Sequence, residues 1–121
     1  MGFSLYPHHL KNNTNCTLDS FCEMIARTSD IMNIKNIGIG SDLCLNQPDE
    51  IVEWMRNGTW SKNKNYGEGS KNKPGFPKQP VWFEDARGFF NIEKGLRKVG
   101  FSKEETNGIL GNNWYNFYRN I

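Results

Sequence analysis

Asn36-Ile37-Gly38-Ile39-Gly40-Ser41-Asp42-Leu43 is the stretch on which the reading of the fold turns. Two isoleucines alternate with two glycines, the pattern of a short buried strand whose backbone something approaches closely. The run stops at a carboxylate, so Asp42 is presented at the C-terminal end of a strand. In barrel-type α/β folds that end carries the chemistry, because side chains there point into the mouth formed by the βα loops. The plainer alternative is that Asp42 caps the turn after the strand, and this stretch alone does not choose between the two.

Working outward, residues 2–7 (Gly-Phe-Ser-Leu-Tyr-Pro) alternate apolar and small side chains and end at proline, which predicts a first strand. A polar loop from His8 to Cys16 follows. Thr17 is a good N-cap, and Leu18, Phe21, Cys22, Ile25 and Met32 recur at helical spacing, predicting a helix over about 18–32. Asp19, Glu23, Arg27 and Asp30 fall on its other face, toward water. With the strand at about 36–41 this completes a strand, helix, strand unit, which joins parallel strands by a right-handed crossover.

Beyond Asp42, residues 48–56 read as a short helix with acids in its first turn and Arg56 at its end, stopped by Asn57-Gly58. Residues 59–80 show no sustained period. A connection this long that carries Trp60, Tyr66 and Phe76 reads as a functional lid, with a disordered insert as the alternative. Phe83, Phe89 and Phe90 anchor the next segment, where Asn91 can cap a helix to about Val99, closed by Gly100. Ser102 and Glu105 form a capping box with Phe101 as its staple. The helix they open is interrupted at Gly111, and an amphipathic turn or two follows through Trp114, Phe117 and Tyr118, so C-terminal helices are expected over about 91–119. Two parallel strands leave both sheet edges unpaired, so the expectation is part of a larger βα-repeating sheet, with its first half upstream of Met1.

At 121 residues the chain has room for one domain at most. Fifteen Lys and Arg against thirteen Asp and Glu leave a formal charge of +2, and the basic cluster between Lys62 and Lys78 is interleaved with Asn, Gly and Ser as in a solvated loop, so nucleic acid is a poor partner. Three cysteines at irregular spacing give no disulfide framework and fit a reducing compartment. No run approaches the roughly 18 apolar residues of a membrane span, and the start lacks a secretory signal, so a cytoplasmic location is expected. The Asn-x-Thr sequons at Asn12, Asn15 and Asn57 are what so much asparagine gives by chance.

His8-His9 invites a metal-site reading, yet two adjacent histidines diverge in an extended loop and match no zinc spacing with Cys16 and Cys22. Their place just after a strand suits substrate contact instead. Cys22 lies on the apolar face of its helix, Cys44 has no sequence-adjacent base, and Trp54, Trp60 and Trp82 read as packing residues. Gly38-Ile39-Gly40 lacks the third glycine and the helix of a dinucleotide fingerprint, and Ser41 has no nucleophile-elbow context.

Four blocks in order carry a resemblance that spans essentially the whole chain. Ser4-Leu5-Tyr6-Pro7-His8-His9-Leu10-Lys11, Thr17-Leu18-Asp19-Ser20-Phe21-Cys22-Glu23-Met24-Ile25-Ala26, Ile37-Gly38-Ile39-Gly40-Ser41-Asp42 and Gly111-Asn112-Asn113-Trp114 resemble the C-terminal part of membrane dipeptidases, also called renal dipeptidases, and are most like their bacterial members. The resemblance implies an α/β fold, the C-terminal portion of a TIM-type (β/α)8 barrel left unclosed in this chain, with residues 2–7 and 36–41 as its seventh and eighth strands. It implies a zinc metallopeptidase in which two zinc ions activate a bridging water against a dipeptide's peptide bond. The family's metal ligands and its carboxylate-gripping Arg lie before the matched region, so no metal ligand is expected here. Asp42 matches the family's proton shuttle between that water and the leaving amine, and Tyr6, His8 and His9 would line the substrate pocket. Asp42-Leu43-Cys44-Leu45 stands where many members have Asp-Phe-Asp-Gly, and Asn116 stands where the family's ending usually has Arg.

The function expected is therefore that of a dipeptidase's C-terminal portion, inactive without the rest, with a dipeptide as substrate and room for a homodimer. The alternative is a non-catalytic module that docks on a separately encoded barrel half. A small metal binder built on His8, His9 and the cysteines is the outsider.

Overall fold

The structure is a computed structural model that describes residues 1–57 and 75–121. It divides into two compact units, one formed by Met1–Leu43 with Gln79–Ile121 and the other by Cys44–Lys78. The first unit is mixed α/β, with two parallel strands in an open sheet and several helices.

Strand β1 (Gly2–Ser4) pairs in parallel with β2 (Gly38–Gly40), Gly2 opposite Gly38 and Ser4 opposite Gly40. Both strands are shorter than the stretches the sequence offered at 2–7 and 36–41. β1 stops at Ser4 because its own hydroxyl accepts the Tyr6 N–H at 3.1 Å, after which Pro7–His9 winds into a 3-10 turn with proline at its start. The histidines therefore sit on a tight turn and not in the extended loop expected of them. β2 is preceded by a similar turn, Ile34–Asn36, whose cap is the Asn33 side chain accepting the Lys35 N–H.

Helix α1 (Leu18–Ser29) is capped by Thr17, whose side chain accepts the Ser20 N–H at 3.1 Å. It buries Phe21, Cys22 and Ile25 and exposes Asp19, Glu23 and Arg27. It ends three residues short of Met32. Thr28 and Ser29 turn their hydroxyls back on the carbonyls of Met24 and Ala26, the competition that weakens a last helical turn.

In the second unit, α2 (Asp49–Asn57) begins with two acidic residues in its first turn, as the helix dipole favours. Most of the expected lid, including Trp60 and Tyr66, lies outside the described residues.

Back in the first unit, a 3-10 turn (Ala86–Gly88) capped by Asp85 runs directly into α3 (Phe89–Lys98). Asn91 is thus not a cap. It lies in the first turn of α3 and donates its side-chain amide to the Trp82 carbonyl at 2.8 Å. Phe83 is fully buried and Phe89 packs edge-on against it at 5.2 Å, but Phe90 points outward. At the other end of α3 the Phe101 N–H reaches the Leu96 carbonyl and the Gly100 N–H the Arg97 carbonyl, a Schellman closure that needs the left-handed φ of +109° at Gly100. The Ser102–Glu105 capping box then opens α4 (Lys103–Asn107). A kinked turn (Gly108–Asn112) leads from it into α5 (Asn113–Arg119).

One core serves this unit, with Phe3, Leu5, Ile37 and Ile39 from the strand segments against Phe21, Ile25, Phe83, Ile92, Leu96 and Ile109. Its tightest contact explains Gly38 of β2 and Gly2 of β1. Trp114 lies across the strands so closely that a Cβ on Gly38 would sit 2.4 Å from its indole nitrogen, and one on Gly2 3.0 Å from its ring. The indole N–H donates to the Ile39 carbonyl at 2.9 Å, and the Asn113 amide bridges the carbonyls of Ile34 and Ile37 at 2.9 and 2.7 Å.

Candidate active site

Because β1 and β2 run parallel and in register, the segments after Ser4 and after Gly40 leave the sheet at the same end. The first carries Tyr6, His8 and His9, and the second carries Asp42. All four residues expected at a site therefore emerge from the C-terminal ends of the strands.

Around β1 the side chains form one cluster. The Tyr6 ring meets both imidazoles edge-on, with centroids 5.5 Å from His8 and 5.2 Å from His9. Nδ1 of His9 is 2.9 Å from the Ser4 hydroxyl, and Nδ1 of His8 is 3.4 Å from the Asn13 side-chain oxygen. Both histidines are exposed, while Tyr6 is half-buried.

Asp42 stands apart from this cluster. It is exposed, and it makes no hydrogen bond or ion pair among the described residues, so nothing there blocks its carboxylate from a ligand. Its backbone is left-handed, with φ of +51°, a conformation that aspartate and asparagine adopt more readily than other non-glycine residues. Asn12 and Asn13 share that conformation. Within the first unit, all the described non-glycine residues held this way lie in the segments that follow the two strands.

No three or more His, Cys, Asp or Glu side chains gather to hold a metal ion among the described residues. Zinc does not fit the donor set described. Cys16 and Cys22 belong to the core, where burial raises both thiols, Cys22 to about 12. That is the setting of packing residues and not of metal-binding thiolates.

Two contributors to the site escaped the sequence reading. Ser4, half-buried and read from the sequence only as part of a strand, touches both Tyr6 and His9. Asn13 shares the loop with His8, and its left-handed neighbour Asn12 is the kind of residue that tolerates such a turn. The Asn12-Asn13 pair was the available signal.

The sequence matches no family model and no curated protein. Among solved structures, an amidohydrolase from Pseudomonas aeruginosa superimposes with a TM-score of 0.74 at 24% identity, over 93% of this chain. The matched part is 33% of the amidohydrolase, so this chain spans about a third of that protein's length. The likeness is one of fold.

Proposed function

We propose that this chain is the C-terminal portion of a metallodipeptidase barrel, in which Asp42 moves a proton from the attacking water to the leaving amine. Tyr6, His8 and His9 line the pocket that receives the dipeptide. The observation that supports this reading is the parallel register of β1 and β2, by which the segment carrying Asp42 and the turn carrying Tyr6, His8 and His9 both leave the C-terminal end of the sheet. An exposed carboxylate suits a proton shuttle, since its oxygens are open to both a water and a leaving amine. The fold likeness to an amidohydrolase is in keeping with a hydrolase, without bearing on dipeptides or zinc. Zinc, in this reading, is held by residues other than those described, and the part played here is to position substrate and pass the proton.

The test is Asp42→Asn in the zinc-loaded protein to which this chain belongs. Dipeptide turnover is expected to fall about 10²- to 10⁴-fold, the span for loss of a general acid–base group. The 121-residue chain alone is expected to show neither retained zinc nor turnover.

A second reading has its own observation. β1 and β2 pair with each other and with no further strand among the described residues, so each has an edge open to pairing. A non-catalytic module that docks on a separately encoded barrel half would use those edges. The DNA preceding Met1 separates the two. A continuation encoding His-x-Asp supports the first reading, and a separate complete gene for the other half supports the second.

A further inference from the structure

The Ser4 hydroxyl stands at the centre of the β1 turn, and its hydrogen bonds can be counted. Its oxygen accepts the backbone N–H of Tyr6 at 3.1 Å, and its other contact is Nδ1 of His9 at 2.9 Å. The hydroxyl still has one proton to give. Among the described residues the acceptor within reach is His9 Nδ1. A neutral imidazole carries its hydrogen on one nitrogen only, so an Nδ1 that accepts leaves the hydrogen on Nε2.

We infer that Ser4 is a positioning residue that holds His9 as the Nε2–H tautomer, so that the turn after β1 presents an N–H donor, and not a lone pair, to a bound ligand. The ligand group that fits is an acceptor oxygen, a carbonyl or carboxylate. The Tyr6 ring, edge-on at 5.2 Å, limits how far the imidazole can swing and keeps the donor aimed outward. Fixing a tautomer through the far nitrogen is the usual means of aiming an imidazole. The same arrangement makes His9 a poor metal ligand through Nδ1, which the serine occupies.

This inference gives a chemical role to one of the pocket residues and so rests on the proposed function for its meaning, but its test does not. The protein is labelled with ¹⁵N-histidine, and long-range proton–nitrogen correlations are recorded without substrate at a pH above the imidazole titration. His9 is expected to show a protonated Nε2 and a bare Nδ1. Ser4→Ala should lower its ratio of Nε2–H to Nδ1–H about fivefold, the bias that one net hydrogen bond supplies. Ser4→Thr, which keeps the hydroxyl, should restore the ratio, and the His8 signals should not move. A protonated Nδ1 on His9 in the unaltered protein overturns the inference, and needs no variant to fold. So does an unchanged ratio in a folded Ser4→Ala protein. The expected tautomer on His9, together with no dipeptide hydrolysis by the zinc-loaded protein to which this chain belongs, would refute the proposed function and leave this inference standing.

Discussion

At the scale of single residues, the contact between Gly38 and Trp114 is the one with least room for change. A methyl group at Gly38 collides with the indole nitrogen, and relieving the clash means breaking the indole's bond to Ile39. Gly38→Ala is therefore expected to destabilise the protein by about 1–3 kcal/mol, the range for an overpacked core, read as a lower urea midpoint with unchanged slope. The cysteines give a second expectation. Burial, then the nearby Asp19 charge, keep the Cys22 thiol protonated up to about 12, and burial raises Cys16 as well, while Cys44 is only half-buried. A thiol reagent at pH 8 should modify Cys44 quickly and reach the other two only on unfolding, because the thiolate is the reactive form. Much of this was legible in the sequence. The Gly-Ile-Gly alternation announced a backbone with a close neighbour, and Cys22 fell on an apolar helix face. That the neighbour is Trp114, from the far end of the chain, was not legible, since nothing local ties an indole to a particular glycine.

At the scale of elements, the caps decide where helices begin. Thr17→Ala removes the acceptor for the Ser20 N–H and should cost about 1 kcal/mol, measured by chemical denaturation. Glu105 returns a bond to the Ser102 backbone N–H, and this bond, with the Ser102 hydroxyl, holds its carboxyl below its ordinary value. A carboxyl depressed in the folded state adds stability above its unfolded pKa, about 4.3, and that stability is lost as pH falls through the lower folded value. The unaltered protein should therefore exceed Glu105→Gln in stability near neutrality, with the gap closing in acid. Both caps could be read from the sequence because a cap is a local pattern of side chain and spacing. The ends of α1 and the start of α3 could not. Thr28 and Ser29 fold their hydroxyls onto the helix backbone before Met32 is reached, and Asp85 starts the turn that makes Asn91 an interior residue with a tertiary bond to Trp82.

At the scale of the whole molecule, the parallel register of two three-residue strands sends segments that are far apart in sequence out of the same end of the sheet. Sequence alone supplied the strand, helix, strand order and hence the parallel pairing, and with it the common end from which the segments carrying Tyr6, His8, His9 and Asp42 emerge. It did not supply the role of Ser4, which depends on where a hydroxyl lands after a turn. No helix of the described residues is long and apolar enough to cross a membrane. The sheet is open among the described residues, and the chain spans about a third of the amidohydrolase whose fold it shares. The most direct measurement is dipeptide hydrolysis and zinc content, side by side, for the zinc-loaded protein carrying this chain and for its Asp42→Asn variant. The account predicts a fall in kcat of about 10²-fold or more with zinc content and KM retained. A variant that turns over at the original rate, or one that loses its zinc along with its activity, would contradict the role given to Asp42.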